Sequence, residues 1–361
     1  MINVEQSVRE RYSQGARQRQ QALCCPVDYD RELLELLPAE IIERDYGCGD
    51  PSRYVRDGDV VLDLGSGGGK ICYMAAQLAG ASGRVIGVDM NDDMLALARR
   101  HQSGMAERLG GDRVRFHKGY IQDLALDVEA LDNWLANHPV HDAAGYEAMR
   151  QWQLQQRRDA PMIADASVDL VISNCVLNLV ADSDKAQLVQ EIFRVLKPGG
   201  RIAIADIVSD RPATAAMKQD AELWSGCISG AFTESGLLDS FIAAGFQAVM
   251  FDNWDAQAWR VVGDIEFRSV TLTAIRPPAE NLAAGNRQLM YRGPFAAVTD
   301  DAGRHWLRGQ RISVAAAVHQ SLVSAYGNAF IDLPDTTTGN HQGSPLPIAC
   351  CGPEPTRGGC C

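Results

Sequence analysis

The stretch Val60-Val61-Leu62-Asp63-Leu64-Gly65-Ser66-Gly67-Gly68-Gly69 decides the fold, because an apolar run of strand length passes straight into a glycine turn. Residues without a Cβ let backbone N–H groups approach a ligand closely, and a helix opening behind the turn adds the positive end of its dipole. A second apolar run, residues 84–88, ends in the acidic Asp89, about twenty residues beyond the first strand. A carboxylate at that place can accept hydrogen bonds from both hydroxyls of a ribose. Strand, glycine turn, helix, strand and terminal acid in this order predict the first half of a nucleoside-binding α/β fold.

The turn departs from two phosphate-binding patterns. Asp63 and Ser66 stand where a dinucleotide fingerprint needs small residues facing a pyrophosphate, and Lys70 is followed by Ile71 rather than by the Ser or Thr of a Walker loop. The run Val61-Leu62-Asp63-Leu64-Gly65-Ser66-Gly67 resembles the first motif of the class I methyltransferases that use S-adenosylmethionine. An anionic Asp63 suits a ligand with an amino group and a sulfonium cation better than one with phosphates. The resemblance implies a donor site made of Asp63, Gly65, Ser66, Gly67, Asp89, Met90, Ile121 and Asn174.

Composition narrows the partners. A chain of 361 residues with 46% apolar residues has room for a full α/β domain and a smaller unit, and is not disordered throughout. Lys and Arg number 34 against 46 Asp and Glu, a net charge of −12, and no basic run is long enough to follow a phosphate backbone, so nucleic acid is not an expected partner. Residues 1–7 carry charge and no apolar core, and no run approaches the roughly 20 apolar residues of a membrane span. The expectation is a soluble, cytoplasmic protein. Its ten cysteines then read as reduced, chemically employed thiols rather than a secreted disulfide framework. The seven histidines show no Glu-x-x-His spacing and support no catalytic metal.

Along the chain, residues 1–57 read as a helical lead-in with a thiol loop, carrying helices over 8–21 and, interrupted at Pro38, over 33–42. Residues 58–276 read as the donor-binding domain. Strands are expected at 59–64, 84–89, 113–118, 168–173 and 201–208, and helices at 69–80, 91–108 and 185–196, the last closed by Lys197-Pro198-Gly199-Gly200. A polar stretch over 125–160 reads as a helical insertion. Helices at 215–225 and 235–243 precede apolar runs at 247–251 and 267–275, which complete a seven-stranded, mostly parallel sheet ending in an antiparallel hairpin. Residues 283–332 form a small C-terminal α+β unit, with strands expected at 288–292 and 311–318, and 333–361 a flexible Cys-rich tail.

On this map three cysteines fall in loops. Cys48 precedes the sheet, Cys175 follows the fourth strand and Cys227 follows the fifth. Ligands of an open parallel sheet bind beyond the carboxyl ends of its strands, so three thiols from these loops can meet at the donor and would select a soft acceptor. Each alone also fits a buried small hydrophobe. The motifs Tyr46-Gly47-Cys48-Gly49, Ser173-Asn174-Cys175-Val176 with Asn178-Leu179, and Leu223-Trp224 with Cys227 and Gly230 resemble the arsenite methyltransferase family over roughly residues 20–275, with weaker likeness in Tyr291-Arg292-Gly293-Pro294.

That resemblance implies that Cys48, Cys175 and Cys227 hold trivalent arsenic as a tris-thiolate. It also implies that an upstream cysteine, matched by the Cys24-Cys25 pair with Cys25 the candidate catalytic thiol and either residue open as the redox partner, pairs with the loop cysteine during turnover, and that thioredoxin or glutathione reduces the pair. One departure is Lys70-Ile71-Cys72, where the family carries an Arg-Asp pair before the cysteine; Cys72 reads as packing. The doubled Cys350-Cys351 and Cys360-Cys361 are potential traps for a soft ion. The alternatives are a methyltransferase for another soft element or a small thiol, and a protein that sequesters metalloid without turnover.

Overall fold

The computed structural model describes residues 4–20, 27–278 and 285–333. The expectations for Cys24, Cys25, the linker and the four tail cysteines lie outside the described residues.

The lead-in folds as three helices, α1 (Val4–Arg17), α2 (Arg31–Glu35) and α3 (Ala39–Glu43). Asp30 caps α2 by accepting from the Glu32 N–H, and Pro38 opens α3 where an extended φ and ψ suit it. The sheet then begins with β1 (Val60–Leu64), α4 (Lys70–Leu78), β2 (Arg84–Asp89), α5 (Asp92–Arg100), α6 (Gln102–Leu109) and β3 (Val114–Lys118). The single helix expected over 91–108 is two, because His101 ends α5 and its Nε2 meets the Glu40 carboxylate at 2.8 Å. The insertion is a helical pair, α7 (Val128–Asn137) and α8 (Ala143–Asp159), joined by a stack of Trp134 on Trp152. Arg157 ties α8 to Asp123 with Nη2 to Oδ2 at 2.7 Å.

The second half of the sheet contains β4 (Val168–Asn174), α9 (Lys185–Val195), β5 (Leu196–Ser209), α10 (Ala221–Ser225), β6 (Phe232–Thr233), α11 (Glu234–Ala243), β7 (Gln247–Trp254), β8 (Arg260–Val262) and β9 (Ile265–Ile275). The run Lys197-Pro198-Gly199-Gly200, expected to close a helix, is the start of β5 instead. Backbone bonds with Arg276 hold it, Gly199 N to Arg276 O at 2.9 Å and Arg276 N to Gly200 O at 2.8 Å. The helix expected over 215–225 is shorter, a 3-10 turn at Met217–Gln219 and then α10.

The strand order is β3-β2-β1-β4-β5-β9-β7, with β1 to β5 parallel and β9 antiparallel to both of its neighbours. This is the expected seven-strand path, to which β6 and β8 add short strands beside β5 and β9. β1 and β4 are apolar on both faces because helices cover both sides. The chain leaves β1 toward β2 and later returns on the other side as β4, so a crevice opens beyond the carboxyl ends of β1 and β4. Gly65 and Cys175 occupy those two ends.

The C-terminal unit has its own core of Leu289, Tyr291, Trp306, Leu322 and Phe330. Its elements are β10 (Asn286–Tyr291), β11 (Ala297–Thr299), β12 (His305–Leu307), β13 (Arg311–Ala315), α12 (Ala316–Tyr326) and β14 (Phe330–Leu333). The strand expected over 311–318 turns into α12 at Ala316, and Tyr326 accepts at its hydroxyl from the Ala248 N–H at 2.9 Å, docking the unit on β7. Among the described residues no helix is long and apolar enough to cross a membrane.

Gly65 is irreplaceable on two counts: its φ is +69°, and a Cβ there would stand 2.4 Å from Val176 Cγ1. Gly65→Ala is therefore expected to lower stability by about 1–3 kcal/mol, read as a shift in the urea midpoint of the purified protein.

Candidate active site

The glycine turn closes on β2. Gly65 N and Ser66 N donate to Val88 O at 2.8 and 3.1 Å, and Gly67 N donates to Asp89 Oδ2 at 2.8 Å. The other Asp89 oxygen accepts from Asn91 N at 2.8 Å, so the carboxylate is oriented before any ligand arrives. Burial raises its affinity for a proton, and these backbone donors oppose the effect. Gly67 has φ +51°, and a Cβ on it would meet nothing within 4 Å, which leaves its backbone bare to a cavity.

That cavity is walled by the glycine turn, Asp63, Asp89, Met90, Ile121 and the Asn174–Cys175 end of β4. Ser66 Oγ is buried there without a hydrogen-bond partner among the described residues. Asp63 is 2% exposed, and burial pushes its pKa up to about 7, against the hydrogen bond it accepts from Cys72 Sγ at 3.2 Å. Cys72 thus packs, as expected, and also donates to Asp63. Ile71 contributes an apolar wall. The carboxylate missing at that position has a counterpart in Asp45, which lines the cavity and is engaged by Lys70 Nζ at 2.7 Å. Lys70 in turn sits over the Tyr29 ring, 3.2 Å from its centroid.

Asn174, expected at the donor site, lines the cavity. Its amide is taken up by the thiol loop: Oδ1 accepts from Cys48 N at 2.8 Å and Gly49 N at 3.1 Å, while Nδ2 donates to Gly49 O at 2.8 Å and Tyr29 Oη at 3.3 Å. Gly47 allows this contact, since a Cβ there would lie 2.0 Å from the amide nitrogen. The residue lines the cavity, yet its polar atoms hold Cys48.

The loop is thereby laid against the end of β4, and Cys48 is bonded to Cys175, S–S 2.10 Å with Cα atoms 5.8 Å apart. The expected pairing of Cys48 with the Cys24-Cys25 pair during turnover falls on residues outside those described. Cys227 is a buried thiol outside the disulfide, and its Sγ donates to Cys175 O at 3.3 Å. The three cysteines share one apolar cluster with Ile207, Met217 and Ile228, but two are tied to each other, so the cage of three free thiols is closed in this state.

Two functional candidates escaped the sequence reading. Asp206 is 1% exposed, and one of its oxygens lies with Cys48 Sγ and Cys175 Sγ in a cluster no more than 4.8 Å across. It accepts from Leu177 N at 2.9 Å, Asn178 Nδ2 at 2.7 Å and Ile207 N at 2.8 Å, and burial pushes its pKa up to about 7. An acid inside the apolar run of β5 was the available signal. The second is Tyr12 on α1, which lines the cavity and hydrogen-bonds Cys227. Helix α1 crosses from the donor side, where Asn91 Nδ2 donates to Arg9 O at 3.0 Å, to α10, where Arg11 Nη1 donates to Glu222 O at 2.8 Å. Nothing local in its polar sequence announces that role.

A family model described as a methyltransferase domain matches residues 56–151 and 149–246, more than half of the chain. The chain belongs to the methyltransferase domain family. A second model, for a domain of unknown function, matches residues 278–357, beyond this methyltransferase domain. Among curated proteins, the arsenite methyltransferase of Aquipseudomonas alcaligenes is 38% identical over 201 residues, 56% of this chain and 48% of that protein. The arsenite methyltransferase of Rattus norvegicus is 30% identical over 274 residues, 74% of this chain and 64% of that protein. The chain thus spans about half to less than two thirds of the length of these relatives. Among solved structures, an arsenic(III) S-adenosylmethionine methyltransferase from Chlamydomonas reinhardtii is 27% identical with a TM-score of 0.58, covering 87% of this chain and 98% of that one.

The Asn174 clamp predicts that Asn174→Ala loosens the thiol loop of the methyltransferase domain. In the reduced protein, Cys48 should be alkylated by iodoacetamide faster than in the parent, and stability should fall by about 1–3 kcal/mol.

Proposed function

We propose that this protein transfers the methyl group of S-adenosylmethionine to trivalent arsenic held by Cys48, Cys175 and Cys227, a reaction suited to arsenic detoxification. The observation that carries the reading is that Cys175, at the wall of the cavity that also contains the glycine turn and Asp89, shares one buried cluster with Cys48 and Cys227. The similarity to proteins named arsenite methyltransferases supports the same acceptor.

The cavity's chemistry fits the donor. Asp89 is preset by Gly67 and Asn91 for the ribose hydroxyls, Gly67 offers bare backbone, and Asp63 places a carboxyl where an amino group or sulfonium would be stabilised. S-adenosylmethionine, when bound, supplies an electrophilic methyl group. Met90 and Ile121 offer the apolar surface an adenine needs. Tyr12 and the rest of α1 cover the cavity, which keeps water from the reacting atoms.

Thiolate ligands suit arsenic because it is a soft centre. Arsenic on three sulfurs keeps its lone pair, so no proton has to be removed at methyl transfer and the protein's task is to position and desolvate. The product arsenic is formally oxidised by one electron pair. Two neighbouring cysteines can return that pair by closing a disulfide, and a thiol reductant, thioredoxin or glutathione, would reopen it. Such a cycle suits a reducing compartment such as the cytoplasm.

The test is to incubate reduced protein with arsenite, glutathione and S-adenosylmethionine and to separate arsenic species by chromatography with element detection. Methylated arsenic is expected, and Cys175→Ser and Cys227→Ser should each abolish it, because a hydroxyl is a poor ligand for a soft centre. Cys48→Ser should spare methylation of an already monomethylated substrate, which needs fewer thiols. Tight arsenic binding without any methylated product would leave sequestration as the activity.

For the donor, Asp89→Ala should weaken binding in calorimetry by about 1–3 kcal/mol. A cation-bearing ligand favours ionised Asp63, whose pKa lies at about 7. Affinity should therefore fall as pH drops from above that value to below it, and Asp63→Asn should flatten the dependence; an unchanged profile would remove Asp63 from the site.

A further inference from the structure

The Cys48–Cys175 bond is flanked by two cavities that have no lining residue in common. The donor cavity reaches the bond at Cys175. A second cavity reaches it at Cys48 and is walled by the 255–259 segment and Ser269. Ser269 Oγ donates to Cys48 O at 2.7 Å, fixing the loop at the floor of this second cavity. Its rim is braced: Asp255 N donates to Ser269 O at 3.0 Å, and Arg268 Nη1 donates to the carbonyls of Asp255 and Ala256, each at 3.0 Å. Trp259 packs against the thiol cluster from the same segment.

A thiolate opens a disulfide by bonding to one sulfur while the other leaves, so the side from which each sulfur can be approached decides which is attacked. Cys48 and Cys175 are only 5% and 4% exposed, which means that a nucleophile must come through a cavity. Approach to Cys175 would lead through the donor site. Approach to Cys48 leads through the second cavity and expels Cys175 sulfur.

We propose that the second cavity binds a small thiol, which reduces the Cys48–Cys175 bond by attack at the Cys48 sulfur. The incoming thiolate forms a mixed disulfide with Cys48, and Cys175 leaves as a thiolate that takes up a proton from solvent. A second molecule of thiol then attacks the mixed disulfide, releasing Cys48 as a thiolate and carrying away the oxidised small-molecule disulfide. Two small thiols are oxidised and two protein thiols are formed. A small ligand is favoured over a protein thiol because Cys48 is only 5% exposed and is reached through a cavity lined by residues 255–259. Asp255 and Gln257 set a carboxylate and an amide at the walls, which suits a thiol that also carries an ammonium group. Reduction and donor binding then use separate entrances; only this last statement rests on the donor reading given above.

The experiment treats the oxidised full chain with limiting glutathione, quenches with N-ethylmaleimide and maps the modified peptides. Glutathione on Cys48 with maleimide on Cys175 is expected; the reverse pattern overturns the proposal. The reduction rate should saturate with glutathione concentration, whereas strictly linear dependence would mean that no binding site exists. Ala258→Trp, which fills the cavity, should slow glutathione reduction by about tenfold or more through lost access, and an unchanged rate also overturns the proposal. Saturating S-adenosylhomocysteine should leave the rate unaltered. Inhibition by it, together with adducts on Cys175, would place the entrance in the donor cavity instead, while methylation by pre-reduced protein tests the proposed function separately.

Discussion

The side chain of Asn174 is the constraint on which the thiol site depends. A single amide at the end of β4 answers two N–H groups and a carbonyl of the Cys48–Gly49 loop, together with the Tyr29 hydroxyl. Each of these buried polar groups would carry a desolvation cost if left unmade. The amide therefore fixes where a loop whose Cys48 is 126 residues away in sequence must lie, and Cys175 is the next residue along. Asp206, reaching the same place from β5, is fixed in a similar way by Leu177 N, Asn178 and Ile207 N.

The fold bears a cost at these positions. Cys175 and Cys227 adopt φ of +60° and +62°, a region that non-glycine residues avoid, at about 1–3 kcal/mol each. Ordinary packing does not ask for left-handed backbone at two cysteines of one cluster. Cores such as this one accept the strain because the sheet below is apolar on both faces and rigid.

Much of the fold could be read from local pattern. β1, its glycine turn, β2 and Asp89 each announce themselves within a few residues, as does β4, and a parallel sheet with both faces covered leaves long apolar runs. The loops bearing Cys48, Cys175 and Cys227 follow from that strand map. What was not legible depends on distant partners. Lys197 to Gly200 has helix-ending chemistry, and pairing with Arg276 makes it strand. Asn174 lines the cavity, and only the folded chain shows that its amide also holds the Cys48 loop. Tyr12 sits on a helix whose polar pattern gives no sign of a cavity behind it.

Helix α1 bears on how the molecule may be divided. It lies wholly before residue 56, where the match to the methyltransferase domain begins, yet it touches Asn91 on one side and α10 on the other. A fragment cut at the domain boundary would keep every strand of the large sheet and all three cysteines after residue 48 in the described chain, while losing the roof over the donor, the Tyr12 contact to Cys227 and the Cys48 loop itself. The unit of folding and the unit of chemistry have different edges in this protein. The chemical unit is the longer of the two, and the segment that distinguishes them is the least conspicuous part of the sequence.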